Sequence, residues 1–155
     1  MTVKRKILYV VIAVFIGIQF IQQPRNKSDK ELSTDIQKLY PMPDSVRAVL
    51  QTSCFNCHSN NTRYPWYSII QPGGWWMSSH IKKGKNQLNF SDFGSYSKRR
   101  QLSKLQSIIN VVKDGTMPLQ SYTLIHTDAK LNDAQKALIT NWASGMKDSL
   151  STNNE

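Results

Sequence analysis

The sequence is poor in the residues and motifs that define several common classes of protein. It contains only 2 cysteines in 155 residues, which excludes a small domain held together by several disulfides. With 7 glycines and 6 prolines it is neither collagen-like nor a low-complexity linker. It also lacks a G-x-x-x-x-G-K-[ST] phosphate loop, a G-x-S-x-G nucleophile elbow and an H-E-x-x-H zinc motif. What remains is one small domain with few groups suited to catalysis, and we predict that it is not an enzyme.

Acidic residues are also few, because 10 Asp and Glu stand against 20 Lys and Arg, for a formal net charge of +10. Two basic clusters stand out, at residues 82–85 and 98–100. We interpret them as a solvated surface, with attraction to an acidic partner or an anionic lipid surface as the functional alternative. Because the amino terminus predicts export, nucleic acid is not expected as a partner despite the basic charge.

The amino terminus holds the longest apolar run of the sequence. Lys4, Arg5 and Lys6 precede the apolar residues 7–21, a pattern typical of a signal peptide or a membrane anchor. A helix of that run covers about 22 Å, which is short for a bilayer core of about 30 Å. No small-x-small cleavage site follows, so we favour an uncleaved membrane helix within residues 1–23, with a cleaved signal peptide as the alternative. Both interpretations place the rest of the chain on the periplasmic or extracytoplasmic side, and the first predicts a single-pass protein of the cell membrane.

Beyond this segment, the spacing of apolar residues predicts an all-α domain. These residues recur every three or four positions, whereas strand signals are weak. Helices are predicted after Asp44, over residues 75–83, over residues 102–114 and after Asn132. Gly84 and Gly115 are expected to end two of these helices, and Asn132 with Gln135 matches a capping box.

The domain boundaries follow from composition. Residues 24–43 are polar and end in Pro-Met-Pro, so they are interpreted as a linker. Residues 149–155 are expected to be a disordered tail, which leaves residues 44–148 as the folded domain. Long loops are predicted over residues 59–74 and 116–130. In a small domain such loops are often organised by a cofactor or ligand, so we predict an all-α fold whose long loops cover a cofactor or ligand.

The two cysteines stand together in Cys54-Phe55-Asn56-Cys57-His58, which has the C-x-x-C-H pattern of covalent haem attachment. Two thiols three positions apart can each add across a haem vinyl group, and the following histidine can bind the iron as proximal ligand. Attachment of this kind takes place outside the cytoplasm, in agreement with the predicted export. Cys54, Cys57 and His58 are therefore the predicted residues that bind one covalent haem c.

Three other interpretations of the cysteine pair remain open. A redox-active or disulfide-forming C-x-x-C suits an oxidising compartment, although no βαβ pattern surrounds the pair. A zinc site needs two further ligands, for which His58, His80 and His126 are candidates. Two buried, unreactive cysteines are the third interpretation, and they leave the spacing unexplained.

The sixth ligand of the iron is predicted to be Met117, with His80 or no protein ligand as the alternatives. Met117 lies in a loop that follows a predicted helix end and is stiffened by the next residue, a proline. It is far enough along the chain from His58 to reach the opposite face of a haem. His80 would give the iron two histidine ligands. Weaker candidates are Met77 and His126.

Further haem contacts are expected from residues around the motif. Five aromatic residues follow it and are interpreted both as ordinary packing and as a dry wall for the porphyrin: Tyr64, Trp66, Tyr67, Trp75 and Trp76. The carbonyl of Pro65 or Pro72 is a candidate acceptor for the ring N–H of His58. Candidates for binding the haem propionates are Arg63, Trp66 and Tyr122.

The sequence resembles the bacterial haem-binding domain family of short, often membrane-anchored, cytochrome-c-like proteins. The resemblance covers roughly residues 36–146 and rests on four segments, CFNCHSNNTRYPWYS, WWMSSHIKKGKNQLNFSDF, DGTMPLQSY and LNDAQKALITNW. It implies covalent haem c, with Cys54, Cys57 and His58 matching the attachment motif, in a cytochrome-c-like small helical domain whose long loops cover the haem. It also matches His80 and Met117 to recurring positions, which does not decide between them as the sixth ligand.

These observations predict a membrane-tethered monohaem c-type cytochrome that passes single electrons outside the cytoplasm to an unidentified redox partner protein. One alternative is a haem-based sensor or small-ligand binder with an open or weakly ligated iron, which would bind carbon monoxide rapidly when reduced. A peroxidase-like enzyme is a second alternative, which the lack of an obvious distal acid–base pair disfavours.

Overall fold

The computed structural model describes residues 2–28, 30 and 32–152. This part of the chain is all-helical, as the periodicity predicts, and none of its residues forms a strand. The α-helices are α1 (Val3–Ile18), α2 (Ile36–Leu39), α3 (Asp44–Ser53), α4 (Phe55–His58), α5 (Gly73–Gln87), α6 (Lys98–Lys113), α7 (Gln120–Thr123) and α8 (Asp133–Thr152). Short 3-10 helices span Trp66–Ile69, Phe90–Ser95 and Thr127–Ala129.

The N-terminal helix α1 does not meet the requirements of a membrane span. It has 16 residues, and its first turn contains Lys4, Arg5 and Lys6. At 1.5 Å per residue its length is about 24 Å, against about 30 Å for a bilayer core. No helix in the described part of the chain is long and apolar enough to cross a membrane. The prediction of an N-terminal membrane helix within residues 1–23 is therefore wrong.

The end of α1 is instead hydrogen-bonded to the domain. The side-chain amide nitrogen of Gln19 donates to the carbonyl of Gln71 at 3.2 Å, and its amide oxygen accepts from the backbone N–H of Gln71 at 2.9 Å. The indole N–H of Trp75 donates to the carbonyl of Ile21 at 2.7 Å. The chain that leaves α1 therefore lies against the start of α5.

The core forms between α6 and α8, with α3 packed against α8. Leu105 of α6 is fully buried and Ile109, one turn later, is 5% exposed. Ile139 and Ala143 of α8 have the same spacing and are both fully buried, as is Leu50 of α3. Because residues four apart share one face of a helix, each helix presents a continuous apolar face to the others.

Several of the described residues in the segment 24–43, for which a linker is expected, pack onto the domain. The carboxylate of Asp35 caps α2 by accepting a hydrogen bond of 2.9 Å from a backbone N–H of the first turn. Ile36 is fully buried. Gly94 lies so close to this segment that a Cβ atom there would collide with the side chain of Leu39. The segment is thus held by its own helix and by contacts with the 3-10 helix over Phe90–Ser95.

The helix ends agree with the sequence patterns in two places and differ in a third. Gly115 has a φ of +68°, a conformation that favours glycine, just after the end of α6. The N–H of Asn132 donates to Oε1 of Gln135 at 3.0 Å, and the N–H of Gln135 donates to Oδ1 of Asn132 at 2.8 Å, which is the predicted capping box. In contrast, α5 continues through Gly84 and ends at Gln87.

The carboxyl-terminal helix α8 extends into residues 149–155, where a disordered tail is expected. It ends at Thr152, so residues 149–152 are helical. Ser149 and Ser151 each donate a side-chain hydrogen bond to the carbonyl four residues earlier, both at 2.9 Å. Residues 153–155 lie outside the described residues.

We expect Leu105→Ala to lower the free energy of unfolding by about 2–5 kcal/mol, because it removes a fully buried side chain and leaves a cavity in the core. Leu124→Ala is the matched control. Leu124 is 74% exposed, so its truncation should change stability by less than about 0.5 kcal/mol. Urea unfolding followed by circular dichroism measures both values, and equal losses in the two variants would contradict this description of the core.

Candidate functional site

The C-x-x-C-H motif forms one helical turn at the junction of α3 and α4. Cys54 directly follows α3, and its carbonyl accepts hydrogen bonds from the N–H groups of Cys57 at 3.2 Å and His58 at 3.0 Å. Both cysteines are free thiols and are partly buried. The turn packs against α3 and α5. Two thiols and an imidazole are thereby held within one turn of backbone.

The imidazole of His58 has a defined orientation. Its Nδ1 lies 3.0 Å from the carbonyl oxygen of Leu88, which can only accept, so Nδ1 carries the hydrogen and Nε2 does not. The acceptor is therefore neither of the expected carbonyls, those of Pro65 and Pro72. Burial lowers the pKa of His58, although the carbonyls of Leu88 and Gly84 oppose this effect. The neutral imidazole, which is the form that binds metals, therefore prevails at neutral pH.

Three of the predicted site residues line one cavity of about 240 Å³, which we call the central cavity. They are Cys54 and His58 from the motif and Met117 from the loop after α6. Its apolar walls include Leu50, Phe90, Ile108, Val112 and Ile139. An apolar space that an imidazole, a thiol and a thioether all face fits a haem, because the macrocycle is largely apolar and the iron accepts nitrogen and sulfur ligands.

A second cavity of about 190 Å³, the side cavity, adjoins the central cavity, because His58 and Met117 line both. Cys57 and His80 line the side cavity but not the central one. Nδ1 of His80 donates to the carbonyl of Trp76 at 2.8 Å, which leaves Nε2 of His80 as an acceptor. The structure therefore brings the second thiol and both candidate sixth ligands to the walls of these two cavities.

The aromatic residues that follow the motif lie elsewhere. Neither the central nor the side cavity is lined by Tyr64, Trp66, Tyr67, Trp75 or Trp76. Trp66 is 78% exposed and Trp76 is 52% exposed. Of the expected propionate residues, Arg63 also lies away from both cavities, whereas Tyr122 lines the side cavity. The weaker ligand candidates Met77 and His126 line a third cavity.

The surroundings of the two thiols keep them protonated. Burial, with a smaller contribution from the neighbouring Cys57, raises the pKa of Cys54 to about 12. Burial likewise raises the pKa of Cys57. A redox-active C-x-x-C pair needs the opposite shift, because its reactive form is the thiolate. As for zinc, no group of three or more His, Cys, Asp or Glu within residues 2–28, 30 and 32–152 is placed to hold a metal ion.

A close contact between α5 and α4, not recognised from the sequence, supports the motif. A Cβ atom on Gly84 would lie 2.7 Å from the carbonyl oxygen of Cys57 and 3.3 Å from its Cβ, so a side chain at this position would push the helices apart. The same helix ends directly before Leu88, whose carbonyl orients His58. The sequence feature that could have indicated this contact is Gly84 itself. A glycine inside a helix lowers its stability and is often kept because a neighbouring backbone packs closely against it.

Lys104 is a second residue that sequence analysis did not single out. It lies on α6, lines the central cavity, and forms no hydrogen bond or salt bridge with any other described residue. A cation at the wall of an apolar cavity is stabilised by an anionic partner. Ser107 and Gln87 line the same cavity and add polar groups to it. Nothing in the sequence distinguishes Lys104 among the 20 basic residues, so its place at the cavity wall could not be predicted.

Comparison with known proteins identifies a family to which this site can be related. The family described as haem-binding domain matches residues 13–145 of the chain. The matched range includes the C-x-x-C-H turn, Gly84, Leu88 and Met117. No curated protein and no solved structure is matched.

We expect Gly84→Ala to destabilise the protein and to impair occupation of the site, because the added methyl group collides with the backbone of the C-x-x-C-H turn. Gly145→Ala is the matched control in α8, where an added Cβ meets nothing within 4 Å. The control should stabilise the helix by about 0.5–1 kcal/mol. Thermal unfolding compares the two variants. Equal or opposite shifts in melting temperature would show that the contact between α5 and α4 is not required.

Proposed function

Because the chain belongs to the haem-binding domain family, we propose that this haem-binding protein is a monohaem c-type cytochrome. In this proposal Cys54 and Cys57 attach the haem, His58 and Met117 bind the iron, and the protein transfers single electrons. The observation that carries the proposal is the central cavity. Cys54, His58 and Met117 all line the same apolar space, and the bond from Nδ1 of His58 to Leu88 leaves Nε2 without a hydrogen.

Cys54 and Cys57 supply the thiols for two thioether bonds. Each addition would break an S–H bond and the π-bond of a vinyl group and form a C–S and a C–H bond, so it needs no external oxidant. Burial raises the pKa of both thiols and keeps them in the S–H form. Thiolates would instead favour disulfide formation or capture of free metal ions. The environment of the motif therefore disfavours its redox and zinc alternatives.

His58 and Met117 are the residues that would bind the haem iron. The bond from Nδ1 of His58 to the carbonyl of Leu88 keeps Nε2 available and makes the imidazole a stronger donor. Met117 lines both cavities that His58 lines. When bound, the haem supplies a reversible one-electron change at its iron. A methionine ligand and the apolar walls both favour the reduced state and so raise the reduction potential.

Lys104 is the proposed partner of a haem propionate. It is the basic side chain on the wall of the central cavity, and no described residue neutralises it. A charge-assisted bond between an ammonium group and a carboxylate would orient the haem and offset the cost of placing either charge beside apolar side chains.

We propose that the domain works outside the cytoplasm and exchanges electrons with a second redox protein. Haem c is attached after export, and residues 4–21 have the basic and apolar composition of an export signal. The net charge of +10 favours a partner with an acidic surface, because opposite charges accelerate encounter.

A visible spectrum of the protein exported from a host with haem-attachment machinery tests the central proposal. We expect a sharp reduced α-band of the c type, with haem retained after denaturation. The weak sulfur-to-iron band of the oxidised form would assign methionine as ligand, and its absence would favour His80 or an open iron. A chain that lacks haem, from a host that matures other c-type cytochromes, would contradict the proposal.

We expect Met117→Ala to retain its haem, to have a lower reduction potential and to bind carbon monoxide rapidly when reduced, because the iron loses its thioether ligand. Met77→Ala is the matched control, since Met77 lines neither the central nor the side cavity. Redox titration and carbon monoxide binding measure both effects. An unchanged spectrum and potential in Met117→Ala would rule out Met117 as ligand and favour His80.

We expect Cys57→Ala to impair haem attachment and folding, because one of the two thioether bonds cannot form and the surrounding loops lose part of their support. Mass spectrometry of the denatured protein reports the covalently held haem, and circular dichroism reports the fold. A normally folded variant with haem attachment equal to that of the unchanged protein would contradict the assignment of Cys57.

A further inference from the structure

A third cavity, of about 180 Å³, lies beside the proposed haem site and has a different lining. We call it the aromatic cavity, and its walls include Tyr67, Trp76, Met77, His80, Ile125 and His126. It shares Cys57 and His80 with the side cavity, but Cys54, His58 and Met117 do not line it. The residues proposed as iron ligands therefore face other space.

The size and walls of the aromatic cavity suit a single six-membered ring. An apolar protein cavity of about 150 Å³ is known to bind benzene, and 180 Å³ leaves room for a small substituent. Aromatic side chains, a methionine and an isoleucine supply the apolar surface. Trp76 is 52% exposed and Ile125 is 63% exposed, so the cavity has an accessible rim through which a ligand can enter.

His80, which lines this cavity, has a ring nitrogen that no described residue contacts through a hydrogen bond. Nδ1 of His80 is 2.8 Å from the carbonyl oxygen of Trp76, and a carbonyl can only accept. In the neutral imidazole the hydrogen therefore lies on Nδ1 and Nε2 is left as an acceptor. No described residue donates a hydrogen bond to this Nε2.

A second acceptor is provided by Tyr67. Its hydroxyl lies 2.6 Å from Nε2 of His126, and a phenol donates to a neutral imidazole more readily than the reverse. The hydroxyl oxygen of Tyr67 therefore keeps free lone pairs. The arrangement is rigid, because the ring of His126 stacks on Tyr122 at 4.3 Å between centroids, and the hydroxyl of Tyr122 accepts a hydrogen bond of 2.7 Å from Asn56.

We propose that the aromatic cavity binds a small phenol, meaning a single aromatic ring that carries a hydroxyl group. The apolar walls take the ring, and the hydroxyl donates to Tyr67 or His80, two acceptors to which no described residue donates. A hydrocarbon ring of the same size would offer neither acceptor a donor. The ligand thus differs from a simple hydrocarbon of the same size.

This inference goes beyond the proposed electron-transfer function and does not depend on it. Binding at the aromatic cavity uses neither Cys54, His58 nor Met117, so a chain that carried no haem would contradict the cytochrome proposal without affecting this one. If haem is attached at Cys57, a phenol in this cavity lies against the same helical turn as the haem.

Calorimetric titration of the full chain with phenol and toluene tests the inference. The two rings are similar in size, and phenol has a hydroxyl donor that toluene lacks. We expect phenol to bind at least as tightly as toluene, although its hydroxyl is better hydrated. Tighter binding of toluene than of phenol, or no binding of either at millimolar concentration, would overturn the proposal.

Variants locate the binding and identify the acceptors. The double variant Tyr67→Phe with His80→Phe should reduce the ratio of phenol affinity to toluene affinity by about 2- to 10-fold. Tyr64→Phe, which removes a hydroxyl outside the aromatic cavity, should leave the ratio unchanged. An unchanged ratio in the double variant would contradict the assigned acceptors.

A second pair of variants tests whether the ligand binds in the aromatic cavity or to another apolar surface, such as that of α1. Ile125→Ala removes part of the cavity wall and should weaken phenol and toluene by similar factors. Leu124→Ala, its exposed neighbour outside the lining, should have no effect on either. Equal affinities in these two variants would place the binding outside the aromatic cavity and overturn the proposal.

Discussion

The hydrogen bond between Nδ1 of His58 and the carbonyl of Leu88 is the interaction on which the site depends. It determines which ring nitrogen is free, and it holds the imidazole in place before any ligand arrives. The position of that carbonyl depends in turn on α5, which ends one residue earlier and contacts the backbone of Cys57 at Gly84. The end of α5 thus fixes the orientation of the imidazole of His58 on α4.

The apolar packing of α3, α6 and α8 determines the protonation states of the side chains in the motif. The same aliphatic faces that form the core also wall the central cavity, with Leu50 and Ile139 contributing to both. Removal from water keeps the thiols of Cys54 and Cys57 protonated and His58 neutral. The fold therefore disfavours the thiolate chemistry that the same pattern of cysteines supports in other settings.

The C-x-x-C-H turn lies between cavities of different character. On one side are the iron ligands of the proposed cytochrome, with Lys104 at the wall. On another is the aromatic cavity, in which Tyr67 and His80 offer acceptors to a small phenol. Cys57 contributes to the walls of both the side cavity and the aromatic cavity, so the proposed haem site and the proposed ligand site adjoin at this residue.

The sequence by itself determined the features that depend on neighbouring residues. The helical class, the positive φ of Gly115 and the capping box of Asn132 follow from local spacing and local hydrogen bonds. The apolar run at the amino terminus led to a wrong prediction of a membrane helix. The basic residues 4–6 occupy the first turn of α1, and only 16 residues are helical. The C-x-x-C-H pattern identified candidate haem-binding residues, consistent with the family match.

Only the tertiary structure decided which distant residues meet at the motif. Leu88 lies 30 residues from His58, and its role as acceptor depends on how α5 packs. The burial of Ile36, the position of Lys104 and the placement of the aromatic residues away from the central cavity have the same origin. Local patterns encode periodicity and turns, whereas these contacts arise from the packing of helices that are far apart in the chain, which no short window of sequence records.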